Sequence, residues 1–299
     1  MNALDHLSSS EQLHYSCRKY GYFFIEDFDT QALNFENVFS EAIRFFNLPK
    51  NKKLINIALP SNQYLGYRGI GTEKSVMTGC LELCEQYKFG YLYDKESKSS
   101  TLLLNYLFSY ESVFKKYTQL YFSVMEQIAT KLLTIIGNNF GLGRNYFQSY
   151  CNQPTHQLGL NYYPAEKLDK QTCQNYAMSA HKDLCLLAII AQNKEGLMVQ
   201  NLQGGWKLIP YMPSTLLVLL GDYLERWTNN YYMAPVHRVL ESTEDARISL
   251  IYKHRPNFET VIPLIPGINP EKSAKDARSE FHTGKAYENK INSIMSNEE

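Results

Sequence analysis

Residues 197–239 read LMVQNLQGGWKLIPYMPSTLLVLLGDYLERWTNNYYMAPVHRV. Short runs of Leu, Ile, Val and Tyr alternate here with Gly, Pro and Asn. That is the spacing of strands and tight turns. Gln203-Gly204-Gly205 sits between LMVQN and WKLIP and predicts a hairpin. Asn229-Asn230 supplies a second turn, because Asn tolerates the left-handed backbone conformation. The same texture begins near Gln157, and the apolar run 184–191 has the length of a buried strand. Several such strands in succession predict a sandwich or barrel.

Upstream the pattern changes to mixed α/β. Ser8 to Ser10 can cap a helix carrying Leu13 and Cys17, which Gly21 ends; Tyr22-Phe23-Phe24-Ile25 follows as a strand. Val38, Phe39, Ala42, Ile43 and Phe46 have helical spacing up to Pro49. Residues 60–71 are expected to be loop. From about Tyr110 a long helix is expected, with Val113, Tyr117, Leu120, Val124, Ile128 and Leu132 as its core stripe and Gly137 or Gly141 closing it. After Pro266 the chain turns polar, and 272–290 is expected to be a C-terminal helix. No linker divides the halves. The reading is one domain over 1–299, with a mixed α/β flank at 1–150, a β core at 151–265 and a helical segment at 266–299.

Composition excludes some classes. The 299 residues hold 30 basic and 30 acidic side chains, so no overall charge would grip nucleic acid or an acidic membrane. No apolar stretch is long enough to span a bilayer. The start, MNALDHLSSSEQ, lacks a basic region and an apolar region, so no secretory signal is expected. The six cysteines are dispersed without a CxxC pair, which predicts reduced thiols in a cytoplasmic setting.

Four short motifs carry chemistry. On a strand, residues i and i+2 share a face. His181-Lys182-Asp183 therefore aims an imidazole and a carboxylate at one point, with Lys182 directed oppositely. His237 follows 56 positions later, and Arg247-Ile248-Ser249 begins 10 positions after that. Asn161 and Tyr163 share a face of NYYP. Two histidines and one carboxylate form the facial ligand set of non-haem Fe(II) oxygenases, which leaves three coordination positions open. His6, His14, His156, His254 and His282 lack ligand spacing. Cys80 and Cys84 have no second pair to make a metal site. Trp227 and the paired tyrosines read as packing.

In order and spacing these motifs resemble the 2-oxoglutarate- and iron(II)-dependent dioxygenases, in the branch that includes isopenicillin N synthase. Cys17-Arg18-Lys19-Tyr20-Gly21-Tyr22-Phe23, Phe45-Phe46-Asn47-Leu48-Pro49, Gly66-Tyr67 and Gly71-Thr72-Glu73 extend the resemblance over nearly the whole chain. It implies a mainly β fold with a helical flank, whose core is a distorted double-stranded β-helix, or jelly roll, supported by N- and C-terminal helices. It implies that His181, Asp183 and His237 ligate Fe(II). Arg247 and Ser249 would hold the distal carboxylate of 2-oxoglutarate, joined by Tyr163, with Asn161 near its chelating end. The implied reaction uses O2 and releases succinate and CO2. The retained Asp183 favours hydroxylation over halogenation. An oxidase of the same fold that does not use 2-oxoglutarate, and a non-catalytic metal- or 2-oxoglutarate-binding jelly roll, are the alternatives.

Three positions depart from the family. Lys182 replaces a common Thr or Ser. Gly159 stands where relatives often carry Arg or Lys. Lys253 stands where relatives commonly place an aromatic residue. If the strand from Arg247 runs on without a bulge, Ile251 and Lys253 also face the pocket. A buried ammonium there calls for an anion, which predicts a small acidic substrate; the alternative is a lysine that ends its strand and reaches solvent. Arg68 and Tyr67 are further candidate substrate contacts, weighed against a surface role for Arg68.

Overall fold

The computed structural model describes residues 10–26, 35–103, 112–165, 176–241, 245–265, 267–268 and 280–295. Its helices are α1 (Ser10–Lys19), α2 (Phe35–Phe46), α3 (Ser112–Asn139), α4 (Asp222–Trp227) and α5 (Thr283–Ile294), besides shorter turns. The strands are β1 (Tyr22–Ile25), β2 (Gly66–Arg68), β3 (Glu85–Asp94), β4 (Ser99–Leu103), β5 (Gln157–Tyr163), β6 (Tyr176–His181), β7 (Leu187–Gln192), β8 (Leu197–Gln200), β9 (Trp206–Leu208), β10 (Leu216–Leu220), β11 (His237–Leu240) and β12 (Arg247–His254). They form a major sheet in the order β1-β10-β7-β12-β5-β3-β2, with β4 beside β3, and a minor sheet β6-β11-β8-β9. All ladders are antiparallel. This is the distorted jelly roll with helices that the resemblance implied.

Strand alternation sorts the core into two layers. Leu187, Ile189 and Ala191 of β7, Leu216, Val218 and Leu220 of β10, and Ile248, Leu250 and Tyr252 of β12 join the apolar cluster that includes α1, α2 and α3. The intervening Ala188, Ile190, Leu217, Leu219 and Ile251 turn to the other face, toward Leu197, Val199 and Val239 of the minor sheet. Burying a Leu, Ile or Val contributes roughly 1.5–3 kcal/mol each. This alternation therefore fixes the register and decides which side chains of β12 face between the sheets.

The hairpin at 203–205 joins β8 to β9 as expected. Asn229 and Asn230 take φ of 48° and 60°. Gly21 ends α1 at φ 74°, where a Cβ would stand 2.3 Å from the Met233 carbonyl oxygen. Several expectations need correction. The 60–71 segment is not all loop, since 66–68 form β2 on the edge of the major sheet. Strands β3 and β4 lie outside the strands expected from periodicity. In α3 the buried stripe is Tyr121, Met125, Ile128 and Leu132 with Phe122, Ala129, Leu133 and Ile136, while Leu120 is 40% exposed. Gly137 lies inside α3, and Gly141 at φ 68° follows its end. The C-terminal helix starts at Thr283; positions 272–279 of the expected helix lie outside the described residues. Cys17, Cys84, Cys151 and Cys185 are free, but Cys80 is disulfide-bonded, against the expectation of reduced thiols throughout. No helix among the described residues is long and apolar enough to cross a membrane.

Candidate active site

Strands β6 and β11 bring the two histidines together. His181 ends β6, His237 opens β11, and the ladder sets them opposite each other. Their ring centroids are 4.3 Å apart. In each ring Nδ1 lies against a backbone carbonyl two residues upstream, Ser179 at 2.8 Å and Pro235 at 3.2 Å. With Nδ1–H donating there, each Nε2 keeps its lone pair for a metal. Asp183 lies just past the end of β6 rather than on the strand. Its carbonyl accepts from the amides of Cys185 (3.1 Å) and Asp222 (2.8 Å), which fixes the turn. Its carboxylate oxygens lie 3.7 Å from His181 Nε2 and 3.8 Å from His237 Nε2. The three potential ligand atoms all lie within 4.8 Å of one another.

The electrostatics suit a cation. Burial, helped by His181, lowers His237 to about 4, so its imidazole is neutral at neutral pH. Burial alone would raise the Asp183 carboxyl. The Lys253 ammonium and the two histidines more than offset that, and hold Asp183 well below the usual carboxylate range. Lys253 faces the cavity, its Nζ 2.8 Å from Asp183 Oδ1. Lys182 was expected to face away from the pocket; it borders the cavity, but its Nζ is engaged by Glu225 at 2.7 Å.

Facing the triad, Arg247 and Ser249 of β12 lie in register with Tyr163 and Asn161 of β5. All four side chains line one cavity of about 370 Å³ with the triad. The guanidinium of Arg247 is buried 4.9 Å from the Tyr163 ring centroid. Its Nε donates to the Lys194 carbonyl at 3.3 Å and Nη2 to Gln192 Oε1 at 2.8 Å. Nη1 is buried without a hydrogen-bond partner among the described residues. A buried guanidinium with one face unsatisfied fits a carboxylate ligand, because the bare N–H is costly until an anion meets it. Gly196, at φ 131°, makes room for this arginine: a Cβ there would be 3.1 Å from Arg247 Cδ.

Ile251 and Lys253 do line the cavity, so β12 runs on without leaving that face. Tyr67 and Arg68 do not line it. Tyr67 donates to Glu85 Oε2 at 2.5 Å. Arg68 is neither a surface residue nor a cavity residue: it is 1% exposed, pairs with Glu73 and donates to the Tyr64 carbonyl at 2.6 Å. Strand β2 turns both side chains toward internal carboxylates. Sequence reasoning missed Lys88 and Glu73, paired at 2.7 Å, and Lys290 of α5, which also lines the cavity. Lys88 was legible in principle, since Gln86 and Lys88 share a strand face. Lys290 carries no local signal at all.

Known proteins resemble this chain in sequence and fold. Residues 154–256 match the family model of the 2OG-Fe(II) oxygenase superfamily, and residues 2–107 match that of the non-haem dioxygenase in morphine synthesis N-terminal region. The chain belongs to the 2-oxoglutarate- and Fe(II)-dependent dioxygenases, and is an oxidoreductase that uses Fe(II), 2-oxoglutarate and O2. It is 24% identical over 275 residues to homoarginine-6-hydroxylase 2-ODD-233 of Oryza sativa subsp. japonica, covering 88% of this chain and 82% of the relative. It is also 24% identical over 283 residues to gibberellin 2-beta-dioxygenase 2 of Arabidopsis thaliana, covering 92% and 80%. A full-length Neurospora crassa protein, crystallised in complex with alpha-KG, shares the fold at TM-score 0.81 and 24% identity, over 96% of this chain and 90% of that one.

Proposed function

We propose that His181, Asp183 and His237 hold Fe(II), that Arg247, Ser249, Tyr163 and Asn161 take 2-oxoglutarate, and that the chain hydroxylates a small molecule. The observation that carries this reading is the unsatisfied Nη1 of Arg247, buried in the cavity onto which three metal-type ligand atoms converge. Bound Fe(II) and 2-oxoglutarate supply the oxidising power: O2 gives one oxygen atom to succinate and one to the substrate, and CO2 leaves. The chain's own residues do the rest. The histidines present Nε2 because their Nδ1 atoms are tied to carbonyls. Arg247 supplies the charge that anchors the distal carboxylate. Ile190, Leu197 and Val239 make part of the wall apolar and limit water.

A small-molecule substrate is supported by the cavity volume of about 370 Å³ and by the names of the relatives, which concern homoarginine and gibberellin. The finer reading is an acidic substrate, supported by the ammonium of Lys253 beside the triad. A cytoplasmic setting goes with this reading, supported by the four free cysteines, with Cys80 as the exception. The chain is read as one domain, supported by the pairing of β1 with β10 and of β3 with β5 across its two halves.

The test is anaerobic addition of 2-oxoglutarate to the Fe(II)-loaded protein. A metal-to-ligand charge-transfer band is expected, followed on admission of O2 by succinate release. Arg247→Ala is expected to weaken 2-oxoglutarate binding by roughly one to two decades, the value of a charge-assisted hydrogen bond. Substrate oxidation without the band or succinate would replace this reading with the oxidase.

A further inference from the structure

The wall beyond the 2-oxoglutarate block carries three lysines, Lys88, Lys253 and Lys290. On β12, Ile251 is one strand repeat past Ser249, roughly 7 Å along. Its row across the sheet is Ile251, Gly159 and Lys88. Gly159 leaves this row without a central side chain; a Cβ there would be 4.0 Å from Lys88 Cγ. Helix α5 closes the same space from outside. It is pinned there by the Lys74 amide on the Ile294 carbonyl at 2.7 Å and by the bridge between Glu73 and Met295. It brings Lys290 to the cavity.

Two of the nearby carboxylates are already paired with cations, and a third is bonded to a backbone amide. Glu73 is shared among Arg68, Lys88 at 2.7 Å and Gln86 at 2.7 Å. Glu82 accepts the Ser179 amide at 2.8 Å. Asp183 holds Lys253, and is also the carboxylate of the triad. Lys290 has no carboxylate within ion-pair distance among the described residues. Part-buried ammonium groups of one sign, close together, are costly without an anion between them. Burial and the neighbouring Arg68 and Lys253 push Lys88 down to about 7 against the pull of Glu73, in keeping with this crowding.

We propose that Lys88 and Lys290 form the subsite for the charged group of a small organic anion, the substrate, while Lys253 is a positioning residue held on Asp183. This inference rests on the iron and 2-oxoglutarate reading above and adds to it which residues select the substrate. Helix α5 is then part of the active site, and Lys290 its specificity determinant.

The experiment uses the full chain loaded anaerobically with Fe(II) and 2-oxoglutarate. A panel of small carboxylates, phosphate esters, and the neutral amides and amines of the same skeletons is scored by perturbation of the charge-transfer band. It is then scored by stimulated succinate release. Selection confined to the anions is expected, and the carboxylate and phosphate arms identify which group is bound. Lys290→Gln is expected to raise KM for the selected anion about tenfold or more while kcat changes little. Lys290→Glu is expected to shift preference toward the amine of the same skeleton. These two variants alter a helix side chain without an ion-pair partner among the described residues, so the test does not depend on Lys88 variants, which would disturb Glu73. Preference for neutral or cationic compounds, or an unchanged KM in Lys290→Gln, would overturn the subsite. A parent that forms no charge-transfer band fails the underlying reading instead, so the two failures are told apart.

Discussion

Under the proposed roles, Gly196 contributes to 2-oxoglutarate binding by having no side chain to crowd Arg247. Gly196→Ala places a methyl group 3.1 Å from Arg247 Cδ and 3.3 Å from Nε, at a backbone φ of 131° that alanine rarely adopts. The expected result is a loss of about 1–3 kcal/mol of stability and roughly tenfold weaker 2-oxoglutarate binding as Arg247 is displaced. Urea unfolding and titration of the charge-transfer band measure the two effects, and unchanged affinity would separate Gly196 from the site. His237→Ala should release Fe(II): after dialysis its iron content should fall well below the parent's, with far-UV circular dichroism preserved. Parent-like iron retention in this variant would mean that the ligand set is different. At this scale the sequence was legible wherever spacing expresses side-chain chemistry, as in His181, Asp183, His237, Arg247 and Ser249. Glu73 and Lys290 were not legible, because their meaning depends on which distant groups they meet. Arg68 shows the same limit, since its role is set by Glu73 inside the protein rather than by its loop-like neighbourhood.

Elements differ in how well local periodicity describes them. Helices α1 and α2 bury one stripe each and match the expected residues Leu13, Cys17, Val38 and Ala42. Helix α3 buries a wide arc, including Tyr121, Phe122, Met125 and Ala129, so its periodicity leaves the phase of the stripe open by about one residue. Strand β3 buries neighbouring residues together, Gln86 with Tyr87 and Phe89 with Gly90, so the alternation that reveals a strand is missing. The end of β12 illustrates a different cost. His254 is stacked on His156 with ring centroids 3.9 Å apart, and burial lowers His254 to about 3. Its folded-state value lies below the unfolded 6.5, so its full contribution to stability is present above about pH 6.5 and is lost progressively as pH falls toward 3. At pH 5 the loss from His254 is roughly 2 kcal/mol. His156 is shifted in the same direction by burial, beside His254 and Arg255. The difference in unfolding free energy between pH 7 and pH 5 should therefore shrink by about 2 kcal/mol in His254→Gln. Equal pH dependence in variant and parent would mean that the folded protein accommodates a charged His254.

Across the whole molecule, the two halves of the site belong to different sheets. His181 and His237 stand on β6 and β11 of the minor sheet, whereas Arg247, Ser249, Asn161 and Tyr163 stand on β12 and β5 of the major sheet. The sheet pairing that makes this possible was not legible, because β1 joins β10 and β3 joins β5 across long stretches of chain, and local periodicity carries no partner. Under the proposed roles, 2-oxoglutarate reaches from iron on one sheet to Arg247 on the other and ties the two together. Fe(II) alone engages only the minor-sheet side, and 2-oxoglutarate alone meets only Arg247 and its neighbours. Each should then stabilise the fold modestly, and the two together by more than the sum of their separate effects, because each ligand improves binding of the other by the same factor. With each near 100 times its dissociation constant, one ligand contributes about 2.7 kcal/mol and the two together at least about 5 kcal/mol, or roughly 9 °C in Tm for a chain of this size. Anaerobic thermal unfolding of the apoprotein, with each ligand alone and with both, measures this directly. Repeating the series in Arg247→Ala should reduce the combined shift to near that of Fe(II) alone. If 2-oxoglutarate raised Tm equally with and without Fe(II), its binding would not span the sheets, and the inter-sheet tie would be wrong even with both ligands bound.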